Sequence, residues 1–275
     1  MLFEALEHAG KDCLMMLPFL FLAFLLMESL EHYSGNIMER MLVKFRWLGP
    51  LAGALLGCIP QCGFSIIAAN LFAGGMVSAG TLLATFLSTS DEAILLLMGE
   101  SQGRSIVWQL LLIKVVVATV AGIVVDLVLA AIEKNEVVEK DICQHCGCCH
   151  DGILISALRH VVKITIYLFV ITFLLNVVIE SVGVEQLSVW LLTDSPIQPL
   201  LAGIIGLIPN CAISVMFTKL YMESMISFGA VLSGLCAGAG VGWLVMWKMN
   251  ENKKENAVIT MLLLIVSVLV GFIVS

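Results

Sequence analysis

Two short stretches of the chain combine a proline with a cysteine, an amide and a hydroxyl at the same spacing. The first reads Leu56-Gly-Cys-Ile-Pro-Gln-Cys-Gly-Phe-Ser65 and the second Ile205-Gly-Leu-Ile-Pro-Asn-Cys-Ala-Ile-Ser214. Thiolate sulfur binds soft ions such as zinc, copper(I), cadmium or trivalent arsenic. A single buried cysteine would indicate packing, but a pair in register favours a binding site. The predicted substrate ligands are Gln61, Cys62, Ser65, Asn210, Cys211 and Ser214.

Two adjacent acids, Asp91 and Glu92, follow Ser88 inside an apolar stretch. Asp91 lies about 18 Å along a helix that starts at Ala79, near the middle of a membrane. A carboxylate there costs at least about 2.5 kcal/mol, which favours a functional role. We predict that one acid is a cation ligand and the other a proton carrier or second ligand, with Ser88 among the substrate ligands. Hydroxyls at spacings of three and four share one helix face, which is also typical of a polar seam between membrane helices: Ser78, Thr81, Thr85 and Ser88.

The next apolar stretch carries two more charges, Lys114 and Asp126. Lys114 is well inside the stretch and needs a partner, for which Asp91 and Glu92 are the candidates. These three residues are the predicted proton-coupling groups. Asp126 is nearer the end of the stretch, where we expect it to be solvated.

The middle of the chain contains four cysteines and two histidines within eight residues. Their spacing differs from the two separated pairs of a tetrahedral zinc finger but is typical of a short metal-binding tract. Cytoplasmic thiols stay reduced, which favours metal over disulfide. Lipidation and an inert linker are the alternatives. The predicted metal ligands are Cys143, His145, Cys146, Cys148, Cys149 and His150.

The composition indicates which kind of protein must position these groups. Of the 275 residues, 60% are hydrophobic and only 13% are charged, against about 25% charged in a typical soluble domain. A soluble fold of this size has no means of hiding so much apolar surface. The net charge of −7 argues against a nucleic-acid binder. We therefore expect an all-α integral membrane protein.

Apolar segments of the length that a spanning helix needs, roughly 20 residues, occur six times. They are Cys13–Leu30, Ala79–Met98, Ile106–Ile132, Ile153–Ile179, Met225–Trp247 and Ala257–Val274. Two further segments, Trp47–Val77 and Ile197–Tyr221, contain the prolines Pro60 and Pro209 in their middles. Proline breaks a helix, and broken backbone at membrane depth is tolerated only inside protein or beside a cavity. We predict that each forms a re-entrant hairpin.

The two halves of the chain match without a gap at an offset of 149, from Pro50 and Pro199 to Leu83 and Leu232. We predict one membrane repeat over residues 1–132 with its hairpin at 47–77, a cytoplasmic Cys/His loop over 133–152, and a second repeat over 153–275 with its hairpin at 197–221. The distribution of lysine and arginine among the loops places both termini outside and the middle loop inside. Three crossings per repeat make the two repeats inverted, as in many secondary transporters.

The chain resembles the family of ten-transmembrane heavy-metal exporters, whose members carry the labels manganese or arsenic efflux permease. The resemblance rests on Gly57-Cys-Ile-Pro-Gln-Cys-Gly-Phe-Ser65, on Ser88 with Asp91 and Glu92, on the Cys/His loop and on Ile208-Pro-Asn-Cys-Ala-Ile-Ser214. It covers most of the chain and implies export of a metal ion. Manganese would use the acids and amides, and arsenite or zinc would use Cys62 and Cys211.

These features together predict a transporter with no catalytic residues and no required cofactor. It exports a heavy-metal or metalloid ion (manganese, a zinc-like ion or arsenite) across the cell membrane. No phosphate loop for ATP is present in the sequence, so an ion gradient is the expected energy source. The expected partners are the metal ion and membrane lipid but no nucleic acid, and a homo-oligomer is compatible with the sequence. The alternatives are a thiol–disulfide electron carrier using Cys62 and Cys211, and a permease for an anion or small organic solute.

Overall fold

The computed structural model describes residues 48–59, 62–89, 103–132, 153–182 and 197–275, together with the single positions 10, 14, 17, 18, 21, 25, 94 and 191. Within these ranges the chain is all helical and has no strand. The helices are α1 (Gly49–Gly57), α2 (Cys62–Ala73), α3 (Ala79–Ser88), α4 (Gly103–Ile132), α5 (Ile153–Val182), α6 (Gln198–Gly206), α7 (Cys211–Met222), α8 (Phe228–Ala237), α9 (Val241–Met249) and α10 (Lys253–Val274).

Both proline-containing segments are helical hairpins broken where the sequence predicts. Helix α1 ends at Gly57 and α2 begins at Cys62, while α6 ends at Gly206 and α7 begins at Cys211. Each first arm starts with a proline in its first turn, at Pro50 and Pro199, where the missing N–H removes no helical hydrogen bond. The two predicted helix breaks are therefore confirmed.

Glycines on α1 set how the first hairpin lies against α3. A Cβ added at Gly53 would come 2.8 Å from the backbone oxygen of Thr81, and one at Gly57 would come 2.6 Å from that of Thr85. The contacts advance along both helices together, so α1 and α3 run parallel and side by side. Helix α2 runs back in the opposite direction, and only five residues separate its end from the start of α3. The chain therefore enters and leaves this hairpin at the same depth.

The helices of the second half repeat these bounds at a constant offset. Helices α1, α2 and α3 start at 49, 62 and 79, and α6, α7 and α8 start at 198, 211 and 228, each 149 higher. The crossings correspond as well, because Gly122 of α4 packs on Pro50 and Gly80 just as Gly271 of α10 packs on Pro199 and Gly229.

Two segments predicted as continuous spanning helices are broken, which corrects the sequence analysis. The segment Ala79–Met98 leaves the helix after Ser88, since Thr89 has φ −50° and ψ 124°. The segment Met225–Trp247 divides into α8 and α9 at Gly238–Gly240, where Gly240 adopts φ 59° and ψ −151°. This conformation is accessible to glycine and strained for other residues.

Helices α8 and α9 together run antiparallel to the whole length of α10. Gly229 at the start of α8 packs on Gly271 near the end of α10. At the opposite end, the indole N–H groups of Trp243 and Trp247 approach the hydroxyl oxygen of Thr260, at 2.9 and 3.3 Å. Because α10 has 22 residues and is about 33 Å long, the broken pair α8–α9 covers the depth of a bilayer core.

The outer surface of the bundle is apolar, as a lipid-facing surface must be. On α4 the exposed side chains include Trp108, Leu112, Val116 and Val120, one per turn. Among the described residues, three segments are long and apolar enough to cross a membrane: Ile106–Ala131, Phe228–Met249 and Lys253–Val274. The second is mostly enclosed and the other two mostly exposed, so α8 and α9 form the centre of a multi-pass membrane protein.

Candidate functional site

The predicted substrate ligands of the two hairpins lie at or near the starts of α2 and α7. Cys211 is the first residue of α7 and is partly exposed, and Cys62 is the first residue of α2. Ser65 and Ser214 lie one turn further and are buried. Gln61, Asp91 and Glu92 lie outside the described residues, as does the side chain of Cys62.

Asn210 caps the helix that carries Cys211. Its Oδ1 accepts a hydrogen bond of 2.8 Å from the backbone N–H of Ala212, which satisfies one of the free donors at the start of α7. The amide therefore fixes where the helix begins. A metal ion bound through Oδ1 would compete with this bond.

Ser65 lies where α9 crosses α2. A Cβ added to Gly242 would lie 2.6 Å from the carbonyl oxygen of Ser65, so the start of α9 rests directly on the first turns of α2. The contact brings the start of α9, which follows the Gly238–Gly240 break of the second half, onto the start of α2 in the first half.

Ser88 and the other hydroxyls of α3 form the seam against α1. The Ser88 hydroxyl lies 2.9 Å from the oxygen of Ala84 and 3.1 Å from that of Thr85, and the Thr85 hydroxyl donates to the oxygen of Thr81 at 2.9 Å. These bonds within the helix let the glycine face of α1 approach closely. The polar-seam alternative raised from the sequence accounts for these contacts, and a role of Ser88 in substrate binding stays a prediction.

Lys114 joins two broken helices at the centre of the structure. Only 1% of its surface is exposed, and its Nζ donates to the backbone oxygen of Thr89 at 2.6 Å and to that of Leu235 at 2.9 Å. Thr89 ends α3 and Leu235 belongs to the last turn of α8. The sequence predicted an acidic partner, either Asp91 or Glu92, and both lie outside the described residues.

Two cysteines that sequence reasoning passed over lie beside this lysine. Cys58 follows α1 and is partly exposed, whereas Cys236 in α8 is fully buried. Cys236 directly follows Leu235, whose backbone oxygen accepts a hydrogen bond from Lys114. Their counterparts at the offset of 149 are Leu207 and Leu87, so a search for matched pairs does not find them. The signal in the sequence was their position next to helix breaks.

Asp126 corrects a further expectation, because it is buried rather than solvated. It is 8% exposed and accepts hydrogen bonds from the Ser78 hydroxyl at 2.6 Å and from the Gly80 N–H at 2.8 Å. The carboxylate thus caps the start of α3, where the positive end of the helix dipole favours a negative charge. Its role in the structure is to hold α4 against α3.

The Cys/His loop, with its predicted metal ligands at 143–150, lies outside the described residues. Among the residues that are described, no group of three or more histidine, cysteine, aspartate or glutamate side chains is arranged to hold a metal ion. Three described features are candidates for the site. The starts of α2 and α9 touch at Ser65 and Gly242, Lys114 joins the ends of α3 and α8, and the start of α7 carries Cys211.

A family model described as "Putative, 10TM heavy-metal exporter" matches residues 14–182 and 150–275. The chain belongs to this family. The resemblance predicted from the proline–cysteine motifs and the acidic pair is confirmed. No curated protein and no solved structure matches the chain. Members of the heavy-metal exporter family are described as ten-transmembrane proteins, in accord with the all-helical fold and its apolar outer surface.

Proposed function

We propose that the protein is a secondary active transporter that exports a heavy-metal or metalloid ion: manganese, a zinc-like ion or arsenite. The observation that carries this proposal is the meeting of broken helices at Lys114 in the centre of an apolar bundle. Backbone that leaves the helix at membrane depth needs protein or an aqueous cavity around it. Discontinuous helices at the midplane are the recurring substrate and ion sites of secondary transporters.

The two halves form inverted repeats in this proposal. The equal offset of three helix starts supports the duplication, and the distribution of basic residues supports the opposite orientation. Arg40, Lys44 and Arg46 precede the first hairpin, whereas the segment 180–198 before the second hairpin carries no lysine or arginine. By the positive-inside rule the first hairpin opens to the cytoplasm and the second to the outside. Both termini are then outside and the Cys/His loop is cytoplasmic.

The transported ion binds between the two hairpin tips and the acidic pair. Cys62 and Cys211 supply soft sulfur, and Asp91 and Glu92 supply hard oxygen and negative charge. Both hairpins have a cysteine as the first residue of the second arm, Cys62 in α2 and Cys211 in α7. The Cys/His loop gathers ions on the cytoplasmic side, and the site needs no resident cofactor. Movement of one repeat against the other would expose the ion to the outside.

A comparison of cells that express matched variants tests this proposal. We expect wild type to raise tolerance to at least one metal of a panel, and Asp91→Asn and Cys62→Ser to abolish the gain at equal expression. Cys13→Ser removes a cysteine outside the proposed site and should behave as wild type. Equal tolerance in all strains, to every metal, would reject export. A Cys62–Cys211 disulfide that a cytoplasmic thiol donor reduces would instead favour the electron-carrier alternative.

A further inference from the structure

The ends of α3 and α8 provide a site with the chemistry of a cation-binding site. The last carbonyl groups of a helix lack partners within it, and the helix dipole places partial negative charge on them. The backbone oxygen of Thr89 is a carbonyl group of this kind at the end of α3, and the backbone oxygen of Leu235 is one at the end of α8. In transporters with discontinuous helices, carbonyl groups of this kind coordinate the coupling sodium ion.

A side chain of the protein itself fills this position. The Lys114 Nζ lies 2.6 Å from the Thr89 oxygen and 2.9 Å from the Leu235 oxygen. These two residues are 146 positions apart in the chain (235 less 89), so the ammonium joins a helix end of the first half to one of the second half. The side chain that carries the ammonium is buried, with 1% of its surface exposed.

We propose that the Lys114 ammonium is a tethered cation that occupies a monovalent-cation site between α3 and α8, so that the transporter does not use sodium. This inference deepens the proposed function, on which it rests, by excluding one coupling ion. The ligand class of the site is a desolvated alkali cation coordinated by carbonyl oxygen, and the lysine takes its place permanently. Shortening the side chain opens the site to a sodium or potassium ion.

Thermal unfolding of the purified full-length protein tests the site without a transport substrate. Sodium chloride is compared with N-methylglucamine chloride at equal ionic strength of about 0.15 M. We expect the Tm of wild type to be the same in both salts. Lys114→Ala should unfold at lower temperature in N-methylglucamine and recover by about 3 °C or more in saturating sodium or potassium. Lys114→Met fills the space without a charge and should be destabilised without recovery.

Lys163→Met is the matched control, because Lys163 lies on α5 with an exposed side chain. We expect it to respond to the salts as wild type does. A saturable rise of the wild-type Tm with sodium would overturn the proposal. So would a folded Lys114→Ala protein whose Tm is the same in sodium, potassium and N-methylglucamine.

Wild-type transport decides the question if Lys114→Ala does not fold. Uptake of a panel of metal ions into inside-out vesicles with an imposed proton gradient is measured with sodium and then with N-methylglucamine on both sides. Equal uptake supports the tethered cation, and uptake that requires sodium rejects it while leaving the export function intact. Absence of uptake for every metal would count against the export function, and the Tm of the wild type in sodium and in N-methylglucamine would still test the cation site.

Discussion

Removal of the Asp126 carboxylate tests whether the start of α3 is held by α4. The carboxylate accepts two hydrogen bonds, from the Ser78 hydroxyl at 2.6 Å and from the Gly80 N–H at 2.8 Å. Hydrogen bonds to charged groups contribute about 1.5–3 kcal/mol each in soluble proteins, but polar contacts in membranes average about 0.6 and reach about 1.7 kcal/mol. Because both bonds are short and buried, we take the upper membrane value. Asp126→Ala should therefore lower the free energy of unfolding by about 3 kcal/mol.

Asp126→Asn separates geometry from charge at the same position. The asparagine oxygen can still accept from the Gly80 N–H, and its amide can donate to the Ser78 oxygen, so only the charge is lost. We expect a loss of about 1 kcal/mol, the size of a helix-dipole interaction. Both variants are measured by reversible denaturant titration in detergent micelles. Ser275→Ala changes the position 149 residues later and should cost less than about 0.5 kcal/mol, since Ser275 is exposed.

The capping role of Asp126 would be refuted by either of two results. One is an Asp126→Ala protein whose free energy of unfolding lies within about 0.5 kcal/mol of wild type. The other is an Asp126→Asn protein as unstable as Asp126→Ala, because then the charge and not the cap geometry would hold the helix.

Three further perturbations address the glycine seam, a buried amide and the thiols. Gly53→Ala should lower the free energy of unfolding by about 1–3 kcal/mol, since its Cβ would lie 2.8 Å from the Thr81 oxygen. A denaturant titration that finds a higher free energy of unfolding would contradict the close packing. Asn70 is fully buried, and neither polar atom of its side chain has a hydrogen-bond partner among the described residues. Asn70→Ala should therefore leave stability unchanged or raise it by about 1 kcal/mol, and a large loss of Tm would show an unrecognised partner. In two variants that each keep a single cysteine, Cys58 should react with maleimide at least about tenfold faster than Cys236, because access limits thiol reactivity. Equal rates would contradict the burial of Cys236.

The hairpins were predictable because their cause is local. Proline cannot donate the hydrogen bond that continues a helix, so Pro60 and Pro209 mark the breaks in the sequence itself. The break at Gly238–Gly240 was missed because glycine is common in membrane helices. The break after Ser88 was missed because no proline marks it. In both cases only the tertiary packing shows that the helix ends there. A long apolar run without proline reads as one spanning helix.

The partners of the buried charges were not predictable for a different reason. Lys114 bonds to backbone oxygens 25 and 121 residues away, and backbone groups have no signature in a sequence. Asp126 likewise bonds to the start of α3, 46 residues earlier. Reasoning from side-chain types alone pairs a lysine with an acid, and the pairing of Lys114 with Asp91 or Glu92 stays a prediction. Such reasoning does not show that the ends of two broken helices also offer partners.

Uptake of metal ions by inside-out vesicles with an imposed proton gradient tests the central claim most directly. The account predicts that at least one ion of a panel containing manganese, zinc, cadmium and arsenite accumulates in wild-type vesicles only while the gradient is present. It also predicts that Asp91→Asn vesicles with the same amount of protein do not accumulate that ion. If folded wild-type protein moves none of these ions above the level of empty vesicles, with or without the gradient, the claim of metal export is wrong.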